Sequence, residues 1–261
     1  MHRSVAILNQ KGGVGKTTVT LGLASAAMTA GRRVLVIDLD PQGASTWVLG
    51  IDPTDVVLSV GDVLAASTKS ERREASLAEA IMVSRWSDRV DVLPARGDQQ
   101  ILEDGKAKRL AKAFARATAA LDSYDAVLID CPPSLGNLTT NALTAARHAL
   151  LVVEPSALGL RGIGGVADLV DDVWDRHNDQ LELSGVVLNR VPAVSSEAAR
   201  RTEELGRIVG RSAIWQPPIP QRVVFSQAIG ERRPIHAYGS RAAEPIEVFD
   251  RLWSRLRRTV R

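Results

Sequence analysis

The 261 residues contain one cysteine, Cys131, so no disulfide forms within the chain, which fits a reducing cytosol. Aromatic residues make up only 4%, and the five tryptophans are dispersed, which argues against a base-stacking platform. No apolar run approaches the ~20 residues needed to span a bilayer. No leader-like segment precedes the first apolar strand, which opens at Val5. The four histidines are scattered and form no metal cluster with the cysteine. An excess of one charge is also missing. The 33 basic and 30 acidic residues leave a net +3, too little to identify nucleic acid as a partner, although arginine is dense toward the C-terminus.

What is abundant is Val, Leu, Ile and Ala, within a hydrophobic share of 45%. That is enough for a sizeable core and suits parallel strands buried on both faces. Short apolar runs predict strands at Val5–Leu8, Arg33–Leu39, Val90–Leu93, Ala126–Asp130, Ala149–Val153 and Gly185–Asn189. Helical spacing predicts helices over Lys16–Thr29, Ile101–Leu121, Ile163–His177, Ser195–Val209 and Pro245–Val260, with Gly31 stopping the first. Residues 51–75 are the least patterned and read as a variable surface segment with short helices. The alternation implies right-handed crossovers. The expected fold class is α/β: a single domain over residues 1–261, with a mostly parallel twisted sheet and helices on both faces, and the glycine-rich Gly12–Thr18 after the first strand narrows it to the P-loop NTPase fold.

In such a sheet ligands sit at the C-terminal strand ends, and three polar motifs follow strand ends here. The first, Asn9-Gln-Lys-Gly-Gly-Val-Gly-Lys-Thr-Thr18, is a phosphate-binding loop of deviant form. Gly15, Lys16 and Thr17 supply the usual ending, but Gln10 stands where the first glycine belongs, and Lys11 is an extra basic residue. Gly12, Gly13, Val14 and Gly15 present backbone N–H groups to an anion, and the helix starting near Lys16 adds its positive end. Lys16 is placed to reach the β and γ phosphates, the Thr17 hydroxyl to bind Mg²⁺, and Thr18 to donate to the α phosphate. One cradle needs one lysine, so Lys11 suggests a second nucleotide and a second subunit. The bland alternative is a glycine-rich turn with no ligand.

The second motif is Asp38-Leu-Asp-Pro-Gln-Gly43. Asp40 is placed to orient or deprotonate an attacking water, or else to cap a helix over 43–49. Asp38 is expected inside the strand, supporting the Mg²⁺ shell. The third is Asp130-Cys-Pro-Pro-Ser-Leu-Gly136. Asp130 ends an apolar strand, as a carboxylate holding Mg²⁺ through water or as a buried structural residue. Gly136 is placed to offer its N–H to the γ phosphate in a switch loop, and Cys131 reads as a small buried hydrophobe. Phe249, Leu252, Trp253, Leu256 and Val260 form one stripe of the last helix, with Arg251, Arg255, Arg257, Arg258 and Arg261 on the rest. A core-packed helix with a solvated basic face, a DNA-facing patch and a membrane-surface helix all remain open.

The three motifs together resemble the ParA/Soj partition ATPases within the wider ParA/MinD group, over nearly the whole chain. Pro218-Ile-Pro220 and Phe225-Ser-Gln-Ala228 match more loosely. The resemblance implies a cytoplasmic ATP hydrolase using ATP and Mg²⁺, slow and partner-stimulated, and a homodimer in the ATP state. In it Lys11 crosses to the partner's phosphates and Asp40 is the hydrolytic residue. Asn189, Arg190, Pro218, Pro220 and Arg222 fall at the group's adenine contacts, Asn189-Arg190 in the manner of MinD. It further implies that the ATP dimer binds DNA without sequence preference on the nucleoid, until a ParB-like centromere-binding protein stimulates hydrolysis. The chain departs from the group at Gln221 and Val224, where many members carry DNA-holding arginines; Arg200, Arg201, Arg222, Arg232 and Arg233 are candidate substitutes. No additional DNA-binding domain precedes the loop, so operator binding is not expected. The alternatives are a MinD-like ATPase working at a membrane surface and a ParA-like ATPase positioning a protein cargo.

Overall fold

The computed structural model describes residues 3–66, 76–97 and 106–260. The chain runs β1 (Ser4–Leu8), α1 (Lys16–Thr29), β2 (Val34–Asp38), α2 (Ala44–Val48), α3 (Val60–Ala66), α4 (Leu77–Ala80), β3 (Met82–Val83) and β4 (Val90–Leu93). It continues through α5 (Arg109–Arg116), α6 (Thr118–Leu121), β5 (Ala126–Asp130), α7 (Asn137–Ala145), β6 (His148–Val153), α8 (Ala157–Arg161) and α9 (Ile163–Arg176). It ends with β7 (Glu182–Leu188), α10 (Ser196–Val209), β8 (Ile214–Trp215), α11 (Val223–Gly230) and α12 (Ala243–Thr259).

These strands form one eight-stranded sheet in the order β3-β4-β2-β5-β1-β6-β7-β8. Every pairing is parallel except the short β3–β4 hairpin. The strands β1, β2, β4, β5 and β6 are buried at every position, as their unbroken Val/Ile/Leu runs require when helices cover both faces. One face packs Leu8, Ile37 and Ile129 against α3, α5, α7 and α9. The other packs Ile7, Val36 and Leu128 against α1, α11 and α12. On that second face α1 and α12 approach so closely that a Cβ on Gly22 would lie 2.1 Å from the Phe249 ring. The expected α/β architecture is thus the observed one.

Because the central strands are parallel, the C-terminal ends of β1, β2 and β5 open on one edge. Register then decides what meets there. Ile7 of β1 and Asp38 of β2 both pair with Asp130 of β5, so two carboxylates stand side by side on adjacent strands.

Several expectations need correction. The helix expected over Ile101–Leu121 is two helices, α5 and α6, separated at Ala117, whose φ of −106° and ψ of 20° leave the helical region. Residues 101–105 of that expectation lie outside the described residues, as do residues 67–75 of the segment read as variable surface. The remainder of that segment is not merely surface: α3 puts Val60, Val63 and Leu64 into the core. Helix α7 was not foreseen because Asn and Thr are poor helix formers. Burial overrides this. Asn141 is 1% exposed and accepts the N–H groups of Arg109 and Leu110, capping α5, while Thr140 and Thr144 donate back to Gly136 and Thr140 carbonyls. Finally, α12 buries Phe249, Leu252, Trp253 and Leu256 in the core. Its apolar stripe is therefore occupied by packing, and the membrane-surface alternative for this helix falls. No helix among the described residues is long and apolar enough to cross a membrane.

Candidate functional site

The loop from Asn9 to Lys16 is held open by its glycines. Gly13 and Gly15 have φ of 78° and 91°, where a side chain is strained, and Gly15 forms the left-handed N-cap of α1. Its base is braced from a distance. Asn189, 2% exposed at the end of β7, donates from Nδ2 to the Val14 carbonyl at 2.7 Å. A Cβ on Gly15 would sit 2.1 Å from that same nitrogen. Asn9 ties the other side, donating to the Val152 carbonyl at 2.6 Å and accepting the Lys11 N–H at 2.9 Å.

Lys16 is buried, with Nζ 3.5 Å from the Lys11 carbonyl. Burial lowers its pKa, and the neighbouring Asp130, Cys131 and Asp40 partly offset this. Lys11 is half-buried, and its Nζ lies 3.5 Å from Glu154 Oε2 at the end of β6. Cys131 is fully buried, and its thiol pKa is pushed up by burial and by Asp130, so it is the inert hydrophobe expected.

The Thr17 hydroxyl donates to Asp130 Oδ2 at 2.8 Å, and the Ser45 hydroxyl donates to the same oxygen at 2.7 Å. Asp130 Oδ1 is buried with no partner. Asp38 Oδ2 accepts both the N–H and the hydroxyl of Thr46 at 2.7 Å, and its Oδ1 accepts the Asp40 N–H at 3.2 Å. Burial raises the pKa of both carboxylates; Asp38 is raised further by Asp130, whereas the Ser45 and Thr17 hydroxyls and Lys16 restrain the rise at Asp130.

This arrangement reassigns one role. The capping acceptor for α2 is Asp38, which bonds the third helical N–H, that of Thr46. Among the described residues the Asp40 carboxylate accepts only the Gln42 N–H at 3.0 Å, within its own turn, and it stays half-exposed at the mouth of the site. The helix-cap alternative for Asp40 therefore falls. Ser45 and Thr46 escaped the sequence reading, as did Glu154. The signal for the first two was the pair of hydroxyl residues directly behind Asp38–Gly43.

A hydroxyl, a carboxylate with an unpartnered buried oxygen and a second buried carboxylate form a hard-oxygen set that fits Mg²⁺. Thr17 and Asp130 meet directly, and Asp130 keeps one oxygen unbonded. Both Asp38 oxygens are already taken, which places that residue behind the shell. Gly136 caps α7 beside Pro133, which approaches Gly12.

Of the residues assigned to adenine, Pro218, Pro220 and Arg222 line one groove of about 430 Å³ together with Val191 and Pro192. Asn189 is instead committed to the Val14 carbonyl, and Arg190, with φ of 56°, is exposed. Four of the arginines offered as DNA contacts form local surface ion pairs, of a kind worth about 0–1 kcal/mol each. Arg200 and Arg201 pair with Glu197, Arg222 with Glu244 and Arg233 with Glu231. Arg232 turns inward. Val224 is buried and Gln221 exposed.

A family model described as an AAA domain matches residues 2–183. The chain is 33% identical to the sporulation initiation inhibitor protein Soj of Bacillus subtilis over 248 residues, covering 93% of each. It is 33% identical to the chromosome partitioning protein ParA of Caulobacter vibrioides, covering 92% of this chain and 89% of that one. The chain belongs to the ParA/MinD family of P-loop ATPases. Solved structures agree in fold. The cell division ATPase MinD of Pyrococcus furiosus superposes with a TM-score of 0.78 at 26% identity, over 99% of both chains. Cobyrinic acid a,c-diamide synthase of Mycobacterium smegmatis, with bound ADP and magnesium, gives 0.73 at 32% identity, over 88% of this chain and 91% of that one. This ParA/MinD-family chain thus shares its fold with proteins of different tasks, so its task must come from its own residues.

Proposed function

We propose that this chain, as one ATPase domain over residues 1–261, is a cytoplasmic ATP-hydrolysing switch that dimerises on Mg·ATP and positions DNA. The observation that carries the nucleotide reading is the convergence of Lys16, Thr17 and Asp130 at one strand edge, with Asp40 at its mouth. Lys16 and the loop N–H groups bind the β and γ phosphates. Bound Mg²⁺ would be held by Thr17 and Asp130 and would neutralise charge on those phosphates. Asp40 orients the attacking water and takes its proton, while Gly136 senses the γ phosphate.

Lys11 supports the dimer reading. Among the described residues its side chain is tied only to Glu154, by a part-exposed pair at 3.5 Å, of a kind worth about 0–1 kcal/mol. Little holds it back from a partner's phosphates. The DNA reading rests on the relatives named for chromosome partitioning and on the basic helices. A ParB-like activator and a nucleoid location belong to the same reading. The membrane alternative is set aside because α12 spends its apolar face on the core.

The test is sedimentation and hydrolysis with ATP, ADP and no nucleotide, each with and without Mg²⁺. A dimer seen only with Mg·ATP, and slow phosphate release, support the reading. A monomer in all conditions removes it. DNA binding should require ATP and weaken steeply with salt; binding indifferent to ATP removes the cargo assignment alone.

A further inference from the structure

Helix α11 ends at Glu231 in a Schellman motif: the Arg232 N–H donates to the Ile229 carbonyl at 3.0 Å and the Arg233 N–H to the Ala228 carbonyl at 2.9 Å. The residue after the cap must be left-handed, and glycine is usual there because a Cβ is unfavourable. Here the position is held by Arg232, with φ of 54°. A strained backbone position kept by a large side chain points to a use for that side chain.

The side chain has a definite target. Nε donates to the Trp47 carbonyl at 2.7 Å, Nη1 pairs with Asp52 at 2.9 Å, and the guanidinium lies 5.1 Å over the Trp47 ring. The Arg232 carbonyl in turn accepts Trp86 Nε1 at 3.0 Å. Trp47 belongs to the last turn of α2. Just before it in the same helix, Ser45 and Thr46 are bonded to Asp130 and Asp38. This five-residue helix is therefore a short strut, with the buried carboxylates on Ser45 and Thr46 and Arg232 on Trp47. Beside it the packing is incomplete: a crevice of about 20 Å³ lined by Thr18, Val48, Trp86, Phe225, Ala228 and Ile229 separates the strut from α11. Beside that crevice the Arg232 guanidinium ties the end of α11 to the Trp47 carbonyl and Asp52.

We propose that Arg232 is a positioning residue that fastens α11 to α2, so that both helices shift together when nucleotide occupies the loop beside Asp130. This rests on the nucleotide reading above. The Ser45 hydroxyl shares Asp130 Oδ2 with Thr17, so a ligand that draws the Thr17 hydroxyl off that oxygen changes the bond that holds the Ser45 end of the strut. A rigid helix passes the resulting displacement to Trp47, and the fork of Arg232 passes it to the end of α11. A lysine lacks the fork and the planar face and cannot hold the Trp47 carbonyl and Asp52 together.

The experiment is hydrogen–deuterium exchange on wild type, Arg232→Gly and Arg232→Lys, free and with Mg²⁺ and the non-hydrolysable analogue AMPPNP. Analogue binding is followed separately with a fluorescent nucleotide. Glycine keeps the left-handed cap, so a merely structural backbone role survives it. In wild type, amides of 44–49 and 224–233 should slow together, by about tenfold. In both variants 44–49 should slow as before while 224–233 no longer responds. If Arg232→Gly fails to fold, the lysine variant decides alone. A wild-type response of 224–233 in either folded variant overturns the proposal. So does wild type that binds the analogue while 224–233 stays unchanged. Failure of wild type to bind the analogue overturns the nucleotide reading first, and this inference with it.

Discussion

The Thr17 hydroxyl and Asp130 Oδ2 lie 2.8 Å apart although 113 residues separate them in sequence. Ser45 donates to the same oxygen, while Asp130 Oδ1 is buried and bonded to nothing. One oxygen is thus fully satisfied and the other is left for a ligand. Asp130→Asn removes the charge but keeps the shape. It should raise the melting temperature of the free protein, because the repulsion with Asp38 disappears. It should also weaken Mg²⁺-dependent ATP binding by about 10- to 100-fold. Thermal melts with and without Mg·ATP read both effects. Unchanged Mg²⁺ dependence would remove Asp130 from the metal site.

The same pair sets a pH dependence. Burial pushes both carboxylates up from an ordinary value of 3.8, Asp38 to about 8 with the charge of Asp130 adding to the rise, and Asp130 to about 6. Each is raised on folding, so the folded chain holds more protons than the unfolded one between these values. The stability they lend is present below about pH 4 and is lost as pH rises through 6 and 8. Without metal, the melting temperature should therefore fall across the window from 5 to 8, apart from the general acid effects of other groups. Mg·ATP should oppose the fall, because a cation replaces the protons. Melts at closely spaced pH values, with and without Mg·ATP, check the sign. A free protein that gains stability from pH 6 to 8 contradicts it.

How legible all this was depends on distance along the chain. The P-loop and the two carboxylates were readable because each motif is contiguous and follows an apolar strand. Strand positions were readable because parallel strands buried on both sides are uniform apolar runs. What escaped reading was set by tertiary contact. Asn189 reaches the Val14 carbonyl from 175 residues away. Asp38 rather than Asp40 caps α2 because β2 ends with its side chain aimed at Thr46, which one residue of register decides. Helix α7 exists because Asn141 and its threonines find partners inside the fold. Glu154 beside Lys11 depends on β6 lying next to β1.

Lys11 and Lys16 should separate under substitution. Lys16→Ala removes the buried lysine at the phosphate end of the loop and should abolish nucleotide binding. Lys11→Ala should retain ATP binding within about threefold, since a part-exposed pair contributes about 0–1 kcal/mol. It should lose ATP-dependent dimerisation or hydrolysis. Equilibrium binding combined with sedimentation separates the two. Normal dimerisation and turnover in Lys11→Ala would end the cross-subunit role.

Among the described residues the Asp40 carboxylate accepts only a bond within its own turn, so its loss should leave the fold intact. Asp40→Ala should bind Mg·ATP, dimerise and then remain dimeric, with hydrolysis reduced by about 10²-fold or more, the usual contribution of a positioned base. Size-exclusion profiles over hours, with phosphate release, test this. Turnover at the wild-type rate would remove Asp40 from the chemistry.

Asn189 offers the last separation, between a base contact and a loop brace. Its Nδ2 is buried and spent on the Val14 carbonyl, so an adenine contact would have to use Oδ1 or follow a rearrangement. Asn189→Ala leaves that carbonyl unpaired beside Gly15 and should cost about 1–3 kcal/mol of stability. The loop then loses the support that fixes its N–H groups. A brace predicts that affinity for ATP and GTP falls by the same factor, because phosphates are common to both. A base contact predicts that ATP alone weakens and discrimination between the two is lost. Competition binding of both nucleotides to wild type and Asn189→Ala decides between them, and the structure favours the equal loss.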